Sequence, residues 1–290
     1  MTISIQNDRK PRPFRPGYSL FLTADGDFGS RAAMGFRDLV EGASMWRLWG
    51  RLGWNDILQR YRRSVLGPLW LTASMGIMVV ALGFLYAELF KLPVDKFLPF
   101  LCVGLVIWAL LSSFLTEAGT LFIGSESYIK QIRLPYSVYV YRSCWSKLII
   151  FAHNLVIYFG ALIYFQIWPG NVGLLAILGL ALLLVNGMAA SLYLGMISAR
   201  FRDIPPLIIS FVQIVFFVTP IFWTPDLLKG RTFVLDINPF YHLVEIVRAP
   251  MLGQVPATGS YVFVLVMTVL NLVLMGVFFA RFRSRISYWV

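Results

Sequence analysis

Charge is what this sequence has least of. Only 13% of its 290 residues are Asp, Glu, Lys or Arg, about half the share of an ordinary soluble domain. With a mean hydropathy of +0.73, that excludes a water-soluble fold and bounds the chain as a polytopic membrane protein. Reactive side chains are also scarce. Cys102 lies in an apolar run and Cys144 beside Trp145 and Lys147, and neither belongs to a motif, so no disulfide or metal site is inferred. His153 and His242 are far apart and lack carboxylate or cysteine companions at ligand spacing; His153 reads as a hydrogen-bonded core residue. None of the six lysines precedes Ser or Thr, so no Walker A loop is available to hold ATP. The acids nearest the apolar runs, Glu88 and Glu117, fall at their ends, whereas a proton-driven carrier places ionisable groups in mid-span. Asp25-Gly26-Asp27 has the form of a metal–nucleotide DxD motif, but no α/β domain surrounds it and it reads as a polar turn.

What the chain does have is long uncharged runs. Arg60-Tyr61-Arg62-Arg63 is followed by 24 residues without charge, Ser64 to Ala87, more than the roughly 20 a spanning helix needs. Pro68 fits the first turn of that helix. Further uncharged stretches run between Lys96 and Glu117 and between Lys147 and Arg200, the second divided at Trp168-Pro169-Gly170-Asn171. The pattern predicts six spans at about 66–88, 97–116, 138–167, 172–199, 205–223 and 257–280, the fifth opened by Pro205-Pro206. Basic residues divide 20 to 5 between the two sides of this topology, which puts both termini in the cytoplasm. The same split accounts for the net charge of +11 without nucleic acid. The first long apolar run begins only after residue 63, so no cleavable leader is expected.

Three segments outside the spans carry more than connection. Residues 1–44, with Arg9, Lys10, Arg12 and Arg15 among prolines, read as a basic, flexible cytoplasmic arm near anionic lipid. In 45–65, Met45, Leu48, Trp49 and Leu52 share one helical face, and Trp54, Ile57, Leu58 and Tyr61 a second. Gly50 and Gly53 offer a break between two short amphipathic pieces, which either lie in the headgroup plane or pack on a soluble partner. Gly124–Leu134 is either a polar hairpin loop or holds a short helix, capped by Ser125 and terminated by Pro135, suited to docking into a soluble partner. Residues 224–256 are too long for a plain loop. Asn238-Pro239 is an N-cap followed by Pro at N1, and Phe240, Leu243, Val244, Val247 and Met251 fall on one helical face. That helix either dips back into the bilayer as a re-entrant hairpin or lies flat on the outer leaflet, with Glu245 and Arg248 paired on its surface.

Aromatic residues are abundant, and several lie inside the predicted spans: Phe84 and Tyr86 in the first, Phe211, Phe216, Phe217, Phe222 and Trp223 in the fifth. Rings stack on the C–H faces of sugars without holding them tightly, which suits a sliding polymer; helix packing or lipid contact accounts for them equally well.

RYRRSVLGPLW (60–70), KQIRLP (130–135), VTPIFW (218–223), INPFYHLVEIVRAPMLG (237–253) and ARFRSRISYWV (280–290) together resemble the membrane subunit of ABC-2 polysaccharide exporters, the O-antigen, capsule and teichoic-acid permeases. The tail and TPIFW lean toward the O-antigen branch. The resemblance implies an all-α fold of six transmembrane helices with an N-terminal amphipathic interface helix and a re-entrant gate hairpin before the last span. It further implies a homodimer in the bacterial inner membrane, bound to two copies of an ABC ATPase subunit that holds ATP and Mg, with no cofactor or catalytic site in this chain. By that analogy Ser125–Leu134 is the coupling helix, presenting Ser125, Glu126, Tyr128, Lys130 and Arg133 to the ATPase. Spans one and five enclose a glycan channel lined by Trp70, Phe84, Tyr86, Phe211, Phe216, Phe217, Phe222 and Trp223. Asn238, Pro239, Glu245 and Arg248 belong to the gate, and Arg60, Arg62 and Arg63 are placed to meet the pyrophosphate of a lipid-linked polysaccharide or simply to anchor the chain among membrane lipids. An ABC-2 exporter of another cargo (a drug, haem or a small lipid) and a membrane-embedded glycosyltransferase are the competing readings. The long N-terminal arm has no counterpart in the resemblance.

Overall fold

The computed structural model describes residues 27–290 apart from 63, 65, 66, 68, 229, 231 and 232. The proline-rich start of the chain, Asp25 and Gly26 of the DxD, Arg63, Lys229 and Arg231 lie outside the described residues. Among those described there is no strand. The α-helices are α1 (Phe28–Ser44), α2 (Trp46–Arg60), α3 (Leu69–Phe90), α4 (Val94–Ala118), α5 (Glu126–Gln131), α6 (Ser137–Phe165), α7 (Leu175–Arg200), α8 (Ile204–Val218), α9 (Phe233–Asp236), α10 (Pro239–Met251), α11 (Thr258–Phe282) and α12 (Ile286–Trp289).

Five of these, α3, α4, α6, α7 and α11, are long and apolar enough to cross a membrane. α4 is the hub: α3, α6, α7, α8 and α10 all pack on it, and Leu101, Val106, Ile107 and Phe114 are buried along it. α3 and α11 sit at the periphery with Ile77, Leu85, Val269 and Leu270 facing outward. In water such faces would be unstable, but hydrocarbon is as apolar as they are.

Three expectations need correction. The predicted fifth span, 205–223, is not one helix. α8 has 15 residues, about 22 Å at 1.5 Å per residue, short of a hydrocarbon core of about 30 Å. Thr219 leaves the helix with an extended backbone, φ −88 and ψ 133, because the ring of Pro220 disfavours helical geometry at the residue before it.

Residues 28–44 are likewise helical, not an arm. Asp27 caps α1 by accepting from Phe28 N at 2.8 Å, and Gly35, Asp38 and Gly42 form a buried face against α6 and α11.

Finally, α2 runs unbroken through Gly50 and Gly53. Gly53 marks a helix crossing: a Cβ there would lie 2.9 Å from the carbonyl oxygen of Arg142 in α6. The Ser146 hydroxyl donates to the Gly53 carbonyl at 3.1 Å across that contact. A missing side chain, read as a breaker, is a close approach.

Candidate functional site

At one end of the bundle the chain folds α10 back into the protein. Asn238 opens it: its side-chain oxygen accepts from Phe240 N at 2.9 Å and Tyr241 N at 3.2 Å, satisfying donors that an uncapped helix would strand. Its amide nitrogen donates to the Thr219 hydroxyl at 3.1 Å, so the cap also ties α10 to the segment where α8 stops. Pro239 takes the first helical position. α10 lies among α4, α7 and α11. A Cβ on Gly179 of α7 would sit 2.4 Å from the Ile246 carbonyl oxygen, which shows how closely the two backbones pack.

The Glu245–Arg248 pair forms, but not on the surface. Arg248 is 1% exposed. Its Nε and Nη2 donate to Glu245 Oε2 at 3.1 and 2.5 Å, its Nη1 donates to the Pro220 carbonyl at 2.6 Å, and its guanidinium lies 4.0 Å from the Phe100 ring centroid. Helical period places Arg248 at the edge of the apolar stripe, one turn from Val244 and Met251, and the neighbouring elements cover that edge. A buried guanidinium is tolerable because its donors find an anion and a carbonyl and its face finds a ring. Arg248 therefore pins the bend at Pro220 to α10 and α4 at once.

Against this bend lies an aromatic cluster. Phe222 meets Tyr86 at 5.4 Å, Phe216 at 5.4 Å and Phe217 at 5.7 Å between centroids. Phe216 in turn meets Trp108 at 5.6 Å, and Phe240 meets Phe211 at 6.1 Å. Trp223 donates its indole N–H to the Phe217 carbonyl at 3.2 Å. Of the eight rings named from sequence, Trp70, Phe84 and Trp223 take no part in these ring contacts, Trp223 being tied to the cluster only through its indole hydrogen bond. Trp70 is exposed, and Phe84 lines a different cleft of about 690 Å³, with Val79, Leu98, Ile157, Ala161 and Phe165. Trp108 and Phe240 belong to the cluster and were missed; both read as ordinary apolar positions of their helices.

The opposite end carries α5. Ser125 precedes it but does not cap it: the buried hydroxyl donates instead to Leu121 O at 2.9 Å. Glu126 and Lys130 form an ion pair at 2.6 Å one turn apart, both about half exposed. The Lys130 ammonium beside it holds the Glu126 carboxyl below the ordinary range. Arg133 is exposed. Tyr128 presents its ring to the Arg142 guanidinium at 5.5 Å. Arg142 in turn clasps Asp56 of α2 with two bonds, at 2.6 and 2.5 Å, so α5, α6 and α2 are linked through one guanidinium. Close by, the buried Lys147 donates to Glu117 Oε2 at 2.7 Å. Arg60 Nη2 reaches the other Glu117 oxygen at 3.6 Å. Arg62 is exposed. Asp56 gave no signal in the sequence. Glu117 and Lys147 did: opposite charges closing one uncharged run and opening the next stand at the same depth.

The family model of the ABC-2 type transporter membrane region matches residues 47–252. The chain belongs to this family. It is similar to two proteins of Klebsiella pneumoniae, each named O-antigen export system permease protein RfbA. The first is 21% identical over 194 residues, 65% of this chain and 74% of the relative. The second is 22% identical over 191 residues, with the same coverage. Membership of the ABC-2 family makes the chain a multi-pass transport subunit. The α10 knot, the aromatic cluster, α5 and the Arg142 and Lys147 pairs all fall inside the matched region; α1, α11 and α12 fall outside it.

Proposed function

We propose that the chain is the transmembrane subunit of an ATP-driven exporter that moves a lipid-linked, O-antigen-like polysaccharide from the cytoplasm across the bacterial inner membrane. The observation that carries this reading is the likeness, across 74% of their length, to two permeases named for O-antigen export. In it, two copies of the chain join two copies of an ABC ATPase, which hold ATP and Mg. Both termini are cytoplasmic, α2 is the interface helix, and α8 with the extended segment after it makes a sixth, partial crossing met by the re-entrant α10. α5 docks on the ATPase. Its amphipathic, half-exposed surface and the link through Tyr128 and Arg142 to α2 and α6 support that role. ATP binding favours one arrangement of α5 over the other, and the spans follow.

The glycan path runs between protomers along α3 and α8, where Trp70, Phe211 and Phe217 are exposed and offer flat apolar faces to a sliding sugar chain. The bend at Thr219–Trp223 and the α10 knot close its outer end. Arg60 and Arg62 stand where a lipid pyrophosphate arrives, with Glu117 holding Arg60 in place meanwhile. Inverted membrane vesicles carrying labelled lipid-linked polymer test this reading. ATP should shelter the polymer from an added glycosidase only when this chain and its ATPase are both present. Protection without either component, or none with both, contradicts it.

A further inference from the structure

The best-satisfied buried acid in the described protein lies outside the region matched to the ABC-2 family. Asp38 of α1 has a fully buried side chain. Its carboxylate accepts from Tyr136 N at 3.1 Å and Ser137 N at 3.0 Å, so it caps α6 from a helix almost a hundred residues away. Arg283, just past the end of α11, donates its Nε to the same carboxylate at 2.7 Å. The contact is returned: Ser137 Oγ donates to Asp38 O at 2.7 Å, and Tyr141 OH to Leu39 O at 3.1 Å. Gly42 gives the room, since a Cβ there would fall 2.1 Å from Ser137 Oγ.

The tail beyond Arg283 completes the loop. α12 packs on both α5 and α7. Arg202 donates to the Trp289 carbonyl at 3.2 Å and the Arg200 guanidinium lies 5.5 Å from the Trp289 ring. α5 is thus held from two sides. Five residues after its end, the chain enters the Asp38 cap, and α12 touches it directly from the Arg283 side.

We propose that Asp38 is a positioning residue: with Arg283 it clamps the start of α6 to the end of α11, so that a displacement of α5 moves both spans as one body. Without the clamp, α5 moves while α11 stays behind. Charge explains why an acid serves. An N-terminal helix dipole and an arginine both favour a carboxylate at this point, and neither is served equally by an amide.

The inference rests on α5 being the element the ATPase drives. The test uses the full chain co-expressed with its ATPase, reading ATP hydrolysis of the purified complex and surface display of radiolabelled host polymer. Asp38→Asn should leave assembly and hydrolysis within about twofold while export per ATP falls about tenfold or more, the range of a coupling free energy. Arg283→Gln should behave alike, and Arg283→Lys should recover most of the export. Unchanged export in both charge-removing variants overturns the clamp, as does export falling only in proportion to the complex recovered. If Asp38→Asn does not accumulate, the Arg283→Gln to Arg283→Lys ratio decides by the same criterion. Failure of any ATPase to purify with the wild-type chain overturns the exporter reading itself, and is told apart by that.

Discussion

The two ends of the bundle bury cations by opposite means. At the α10 end, Arg248 takes its carboxylate from its own helix, three residues away, and only then collects Pro220 and Phe100 from elsewhere. At the α5 end the half-exposed Glu126–Lys130 pair stays within its helix, but every pair that buries a cation joins distant segments: Arg142 to Asp56, Lys147 to Glu117, Arg283 to Asp38. The α10 knot is therefore a locally assembled unit onto which a bend is pinned. The α5 end is a set of stitches between separate elements. In the proposed exporter, an outer gate and a docking end that relays motion suit these two constructions.

Substitutions sharpen the contrast. Arg248→Met should have the largest effect, about 3–5 kcal/mol, because it strands Glu245 and the Pro220 carbonyl inside the protein. Thermal unfolding in detergent would show it; a loss below 1 kcal/mol would mean the knot is not what holds the bend. Lys147→Met should cost less, about 1–3 kcal/mol, because Glu117 is partly exposed and keeps Arg60. Adding Glu117→Gln should return part of that loss, which a pair acting only through packing would not do. Asn238→Ala should cost about 1–2 kcal/mol for the lost cap, and should loosen 219–223, seen as faster amide exchange there. Glu126→Gln stands last, with no resolvable change in unfolding. Its carboxyl is lowered by Lys130 in the fold, so the pair's contribution is complete above the ordinary glutamate range. It fades only as the pH falls below that range, and measurements at neutral pH should be flat.

The same contrast governs what could be read from sequence. Local signals were legible. Asn238-Pro239 starts α10 and Pro205-Pro206 starts α8, because a cap or a ring acts within a turn of where it stands. The uncharged runs mark the five long helices for the same reason. Contacts across the chain were not legible. Asp38 and Arg283 are 245 residues apart, and nothing near Asp38 distinguishes it from a solvated acid, so α1 read as part of a polar arm. Gly53 read as a breaker since its partner, the Arg142 carbonyl, belongs to another helix. Arg248 read as a surface residue because its charge argued for water, although its spacing from Val244 and Met251 put it beside the apolar stripe. Nothing local shows that Pro220 and Phe100 cover it.

Deleting this chain from its host, then assaying surface glycan together with lipid-linked polymer in the inner leaflet, tests the exporter reading most directly. Loss of glycan from the surface, with finished polymer accumulating inside, is expected of the exporter. Unchanged surface glycan would contradict the cargo, and loss without accumulation would contradict transport in favour of synthesis.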